Sequence, residues 1–211
     1  MKPIQNFSAE RTAFRQFKQA VENDKVLKSD IEIALKELLG RFATTIYENR
    51  FVVGGALEVI MVAALRAAGI DATDVGAQEE RLDIRIPNGG FSIKGHFSGS
   101  GNIRLINVLG DSEQANWNEA TLFVLHGVGI GYADPELLSS VGAIQRTSDA
   151  IVIRYSALRA FFGDHPEWLI ECEVPQSVQD KDASELVSRA IARQILARTQ
   201  KLHKALDSDS I

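Results

Sequence analysis

The segment over residues 54–68 constrains the fold more than any other part of the chain. Leu57, Ile60, Met61, Ala64, Leu65 and Ala68 recur at helical spacing, and almost everything between them is apolar as well. A helix of that kind has no face to offer to water, so other layers must cover it on most sides. Gly69 supplies a stop, since glycine takes the left-handed conformation that ends helices. The apolar run from Phe51 to Leu65 is too short to span a bilayer and is interrupted by Glu58, the only charged residue between Arg50 and Arg66. A carboxylate inside such a helix costs several kcal/mol unless it is paired, hydrogen-bonded or metal-bound.

Around this helix the chain reads as one domain over residues 1–211, long enough to bury a sizeable core. A helical N-terminal part is expected over 1–50, a core over 51–130, and further strands with a C-terminal helix over 131–206. The spacing predicts helices over 7–23 and 30–39, the first with Ser8 as N-cap and a stripe through Arg11, Phe14, Phe17 and Val21. Strands are expected at 72–75, 81–86, 91–97, 103–108, 121–126, 150–154 and 169–173. Short helices are expected near 112–118, 135–140 and 156–162, a long one over 183–206, and a disordered tail after it. Helices, then a meander of strands, then more helix and strand give a mixed α/β or α+β fold.

Charge and cysteine content narrow the function classes. A net charge of −5 excludes a protein that coats nucleic acid through bulk positive charge, and leaves room for a local basic face. Cys172 is the only cysteine, so neither a disulfide framework nor a cysteine zinc site is available. His96, His126, His165 and His203 lie far apart and form no metal motif. The start Met1-Lys2-Pro3-Ile4 has no apolar signal core, so a cytoplasmic protein without a membrane partner is expected.

Chemistry concentrates in residues 81–97. Alternation puts Leu82, Ile84 and Ile86 on one face of a strand and Asp83 with Arg85 on the other. In the next strand Phe91, Ile93 and Phe97 face inward, and Ser92, Lys94 and His96 face the opposite way. With Pro87-Asn88-Gly89-Gly90 as a four-residue loop, Ile86 pairs with Phe91 and Asp83 stands directly opposite Lys94, roughly 5 Å away at Cβ. Such a pair is either a surface salt bridge or two members of a phosphate-handling site. Glu58 is likewise either a buried carboxylate satisfied by an arginine or backbone donor, or a third member.

The order helix-Glu58, strand-Asp83, short turn, then Phe-Ser-Ile-Lys94 resembles the PD-(D/E)xK nuclease superfamily, which includes type II restriction endonucleases. The stretch from Leu57 to Gly69 with these residues is also similar to the Mrr-like branch of type IV nucleases, and the resemblance covers residues 50–126. It implies a restriction-endonuclease-like core, a central mixed β-sheet flanked by helices. It implies that Asp83, Glu58 and the Ile93 carbonyl hold Mg²⁺, with Mn²⁺ as a substitute, that Lys94 polarises the attacking water, and that Ser92 hydrogen-bonds a metal water. Ser92 is a departure, because the family usually carries a carboxylate there.

The implied function is a homodimeric type II site-specific deoxyribonuclease acting on double-stranded DNA. The alternatives are an Mrr-like methylation-dependent nuclease and an inactive DNA-binding or regulatory protein on the same fold. His96 and the following segment, with Ser98, Asn102, Arg104 and Asn107, are the expected DNA contacts. The C-terminal helix carries Arg189, Arg193, Lys201 and Lys204 on one side, a face either solvated or set against phosphate, and an apolar side that could dimerise. Gly127-Val-Gly-Ile-Gly131 lacks the lysine and hydroxyl residue of a phosphate loop and reads as a turn.

Overall fold

The computed structural model describes residues 6–42, 44, 47–75, 82–107, 116–139, 142–147, 150–177 and 188–207. Helix α1 (Ser8–Asn23) buries Phe14, Phe17 and Val21. Ser8 is not its cap: Phe7 holds that position, and the Ser8 N–H donates to Asn6 Oδ1 at 3.1 Å. Asp24 closes α1 through its backbone N–H and opens α2 (Lys25–Arg41) by accepting the N–H groups of Val26 and Leu27. Helix α2 therefore starts well before residue 30, where apolar spacing first becomes visible.

Helix α3 (Tyr47–Ala67) also starts earlier than its apolar stripe, and crosses the expected boundary at residue 50. It ends as the sequence predicts. Gly69 takes φ +79°, its N–H donates to the Arg66 carbonyl, and Ile70 N–H donates to Leu65 at 3.0 Å, a Schellman motif. Every residue from Val59 to Leu65 is buried. The covering layers are α2, the sheet, and the C-terminal helices α6 (Ser188–Leu196) and α7 (Lys201–Asp207). The expected single C-terminal helix is thus broken, its part over 183–187 lying outside the described residues. At the break the Thr199 hydroxyl accepts the His203 N–H, and Asp30 accepts the Lys201 N–H. Ile195, Leu196 and Leu202 are fully buried, so the apolar side expected as a dimer surface packs inside the fold.

The strands are β1 (Thr73–Asp74), β2 (Ile84–Ile86), β3 (Gly89–His96), β4 (Asn102–Asn107), β5 (Thr121–Leu125), β6 (Gly129–Ala133), β7 (Ile144–Arg146), β8 (Ala150–Arg154) and β9 (Leu169–Ile170). Six form a mixed sheet in the order β1-β2-β3-β5-β6-β9, with β3 and β5 parallel and the other pairs antiparallel. The remaining three form a second sheet in the order β4-β8-β7. Helices α4 (Pro135–Leu138) and α5 (Tyr155–Asp164) follow β6 and β8. One apolar core runs from Phe7 to Leu202 through all of these elements except β1 and β7, Ile144 of β7 packing against it. The central mixed sheet flanked by helices is therefore present. Among the described residues no helix is long and apolar enough to cross a membrane.

Strands β6 and β7 are additions to the expected set. The glycine pattern at 127–131 is a turn followed by β6, and its glycines serve packing. A Cβ on Gly131 would lie 2.2 Å from the Phe162 ring of α5, and one on Gly129 would lie 2.3 Å from the Ile170 carbonyl of β9. Residues 116–118 are not helical, and 112–115 lie outside the described residues.

Candidate functional site

The β2–β3 hairpin turns on two residues rather than four. Asn88 adopts φ +64° behind Pro87, whose ring fixes φ, the pattern of a type II turn. Gly89 and Gly90 belong to β3, where the bare backbone is required. A Cβ on Gly90 would fall 2.5 Å from the Ile84 carbonyl oxygen, and one on Gly89 would fall 2.3 Å from Glu10 of α1. Ile86 consequently pairs with Gly89 and Ile84 with Phe91, a register two residues from the expected one. One step further along, Asp83 stands opposite Ser92, not Lys94. A shift by two leaves every side chain on its original face, so Asp83 still shares a face with Ser92, Lys94 and His96.

Asp83 fastens the mouth of this hairpin. Its Oδ2 accepts the Ile93 N–H at 2.5 Å and the Ser92 hydroxyl at 3.1 Å, and its own N–H donates to the Phe91 carbonyl at 3.0 Å. The carboxylate thus goes to Ser92 and Ile93 rather than to Lys94. At the same point β3 changes partners. It pairs with β2 through Phe91 and with β5 from Ser92 onward. Past the fork, residues 93–96 keep β5 on one side and, among the described residues, have no strand on the other. The N–H and C=O of one extended residue point to the same side, so the Ile93 carbonyl is directed along this open edge with the N–H that Asp83 binds.

A cavity of about 450 Å³ lies against the open edge. Helix α3 forms one wall with Arg50, Val53, Gly54, Leu57 and Glu58, which follow the i, i+3, i+4, i+7, i+8 spacing of a single helical face. The edge of β3, with Ile93, Lys94 and His96, forms the second wall. Ser98 and the start of β4, with Asn102, Ile103 and Arg104, form the third. Glu58, Ile93, Lys94, His96, Ser98, Asn102 and Arg104 are therefore brought together from distant parts of the sequence. Asp83 and Ser92 stand behind the wall, one hydrogen bond from Ile93. Asn107 does not join them: it ends β4 opposite Ala150.

Arg50 is a site residue that sequence reasoning did not single out. It lies two helical turns before Glu58, and its Nε donates to the Thr44 carbonyl at 2.8 Å. Carrying the α3 stripe backward from Glu58 in steps of four reaches Gly54 and then Arg50, the one available signal. With Arg50, Lys94 and Arg104 against Glu58, the lining is basic in a chain whose net charge is −5.

His96, expected as a DNA contact, lines the cavity and is also engaged within the protein. Its Nε2 donates to the Ser100 carbonyl at 2.7 Å, Ser98 Oγ lies 3.0 Å away, and the ring packs against Tyr155 with centroids 5.5 Å apart. Burial holds its pKa below the ordinary histidine value, against the opposing pull of the Ser100 carbonyl. The imidazole is neutral near pH 7 and ties the loop that follows β3.

The oxygen donors around the fork are Asp83, the Ile93 carbonyl and Glu58. Two carboxylates and a carbonyl suit a hard divalent cation that keeps several waters and completes its shell with a phosphate. Among the described residues no cluster of three His, Cys, Asp or Glu side chains gathers. A second hollow of about 490 Å³ adjoins Cys172, Lys28, Glu32 and Arg159. Burial and the nearby Glu32 push the Cys172 thiol up to about 12, leaving it protonated and inert as a nucleophile. Compared with known protein families, curated proteins and solved structures, the chain matches none of them.

Proposed function

We propose that this protein is a Mg²⁺-dependent endonuclease that hydrolyses DNA phosphodiester bonds, acting as a homodimer of the type II restriction kind. The observation that carries the reading is the cavity at the β2–β3 fork, where Lys94, Glu58 and the Ile93 edge meet beside Asp83. Asp83, Glu58 and the Ile93 carbonyl would hold Mg²⁺, which when bound neutralises charge on the scissile phosphate. Lys94 orients the attacking water and meets the charge that develops on phosphorus oxygens. Arg104 and Arg50 hold the flanking phosphates, and Asn102 offers an amide to a base edge. Water forms the new P–O bond as the bond to the leaving sugar oxygen breaks; that oxygen takes up a proton from solvent to become a hydroxyl, and the attacking water gives up its protons to solvent.

A second reading is favoured by one specific observation. The Asp83 Oδ2 is already engaged by Ser92 and Ile93, and Ser92 stands where a second carboxylate would strengthen metal binding. A protein that binds DNA on this fold without cutting it is consistent with that arrangement. Incubation of plasmid DNA, methylated and unmethylated, with the purified protein in Mg²⁺ or Mn²⁺ separates the two. Metal-dependent cleavage that EDTA abolishes supports the nuclease, and cleavage confined to methylated DNA supports the Mrr-like form. Binding with no cleavage under any of these conditions supports the second reading.

A further inference from the structure

The fork cavity borders the second sheet through Asn102, Ile103 and Arg104. The three strands of that sheet carry Arg104, Arg146 and Arg154 and no acidic residue, in a chain of net charge −5. Register sorts their side chains into two faces, because residues directly opposite in an antiparallel pair point to the same side. Ile103 stands opposite Ile153, and Ile153 opposite Ile144. Ile103 and Ile153 belong to the apolar core and Ile144 packs against it, so this is the inner face. The outer face follows from the pairs Asn102–Arg154, Arg104–Val152 and Val152–Gln145. On it Val152 is buried, while Asn102, Arg104, Gln145 and Arg154 are exposed.

We infer that the outer face of the second sheet is a phosphate-binding surface that continues the fork, with Arg154 beside Arg104 as its second contact to a DNA backbone. This rests on the nucleic-acid reading of the fork and adds the path the backbone takes beyond it. Arg154 lies two residues along β8 from the partner of Arg104, a diagonal neighbour roughly 7–8 Å away. One DNA strand carries a charge about every 3.4 Å of helix axis, so two such guanidiniums reach phosphates of the same backbone. The planar fork of arginine matches phosphate oxygens, and Asn102 between the cavity and Arg154 adds a neutral donor. The Arg154 side chain makes no capping hydrogen bond to α5, so its replacement removes no helix cap.

Salt dependence tests this, because each phosphate neutralised on a duplex contributes about 0.9 to the slope of log affinity against log salt. The experiment measures binding of a blunt duplex by fluorescence anisotropy in EDTA over a series of KCl concentrations. The proteins are the natural chain, Arg154→Gln, Arg154→Lys and Gln145→Lys, the last adding a cation to the same face. Arg159→Gln is the control, an exposed arginine of α5 that lines the hollow beside Cys172 instead. Thermal unfolding is followed in parallel, and phosphatidylglycerol vesicles serve as a second anionic probe.

Arg154→Gln should bind more weakly on every duplex sequence, with a slope shallower by about 1, and unfold no earlier than the natural protein. Arg154→Lys should keep the natural slope, Gln145→Lys should steepen it by about 1, and Arg159→Gln should leave it unchanged. Natural slopes in both Arg154→Gln and Gln145→Lys overturn the inference, as does a change in Arg159→Gln equal to that in Arg154→Gln. An Arg154→Gln variant that loses vesicle binding but keeps the natural DNA slope also overturns it, assigning the face to an anionic membrane surface. Because binding is read in EDTA, absence of cleavage sinks the nuclease reading and leaves this result standing. Intact cleavage with unaltered slopes does the reverse, and a natural protein that binds no duplex overturns both.

Discussion

Asp83 and Ile93 are joined across the β2–β3 fork, the Asp83 carboxylate accepting the Ile93 N–H at 2.5 Å at the point where β3 leaves β2 for β5. The contact gives Asp83 a structural task as well as its proposed metal-binding one, and the two can be separated. Asp83→Asn keeps an oxygen able to accept from Ile93 and Ser92 but removes the charge. Asp83→Ala removes both. The alanine variant should lose about 1–3 kcal/mol of stability, the usual effect of orphaning a hydrogen-bonded group, and the asparagine variant clearly less. Both should lose metal-dependent cleavage by about 10²–10³-fold. Thermal unfolding beside plasmid nicking rates checks this, and an active Asp83→Asn would remove Asp83 from the metal site.

Lys94 lines the cavity and takes no part in the Asp83 latch, so its removal should leave the fold intact. Lys94→Ala should lower cleavage about 10²–10³-fold with little change in unfolding temperature, the signature of a partner needed only in the transition state. Ser92→Glu adds a carboxylate beside Asp83 and, on the proposed nuclease reading, should shift the Mg²⁺-to-Mn²⁺ activity ratio. An unchanged metal preference with retained activity would show that Ser92 does not face the metal.

The hairpin register shows where sequence reading stops. Alternation correctly identifies which residues share a face, because a two-residue slip preserves faces, but it carries no information about which residues stand opposite one another. That choice lies in the turn, where Asn88 alone takes a positive φ and the glycines behind it belong to the strand. Gly90→Ala should therefore destabilise the fork specifically, since its Cβ would meet the Ile84 carbonyl oxygen at 2.5 Å. Hydrogen exchange should quicken at Ile84, Phe91 and Ile93 before the rest of the sheet, and protection unchanged there would contradict the close approach. Strand β6 is illegible for a related reason: Gly129 and Gly131 weaken the strand signal, and the Phe162 ring that requires Gly131 comes from a helix thirty residues on. Helix α3, by contrast, is read almost whole, its length apart, because its apolar surface is continuous.

His96 offers a pH test. Burial depresses its pKa, so the unfolded chain binds the proton more readily than the folded one. The folded state is then fully favoured above the ordinary histidine value of 6.5 and loses stability as pH falls from there toward the depressed folded value. His96→Gln keeps a donor for the Ser100 carbonyl and should flatten stability over that interval. An NMR titration of His96 with a midpoint at or above 6.5 would contradict the buried, neutral imidazole.

The polar network farthest from sequence reading makes the sharpest stability prediction. Arg11, which spacing placed on the apolar stripe of α1, reaches Asp134 with Nε at 2.8 Å and Nη2 at 2.9 Å. Asp134 is wholly buried, caps α4 and accepts the Tyr132 hydroxyl at 2.8 Å. Burial opposes its charge. The Arg11 hydrogen bonds, the Leu137 N–H and the Tyr132 hydroxyl outweigh that opposition and hold its carboxyl below the ordinary value of 3.8. A depressed carboxyl stabilises the fold above that ordinary value, and the contribution disappears as pH falls through the folded value. Asp134→Asn leaves the guanidinium facing a neutral group, and breaking a buried pair of this kind costs about 3–5 kcal/mol, toward the lower figure here because Arg11 is partly exposed. The difference in unfolding free energy between natural protein and variant should therefore be largest near pH 7 and narrow steadily below pH 3.8. Urea unfolding across pH measures it directly. A gap that stays constant into acid would mean that the Asp134 charge is not what holds α1 to the end of β6.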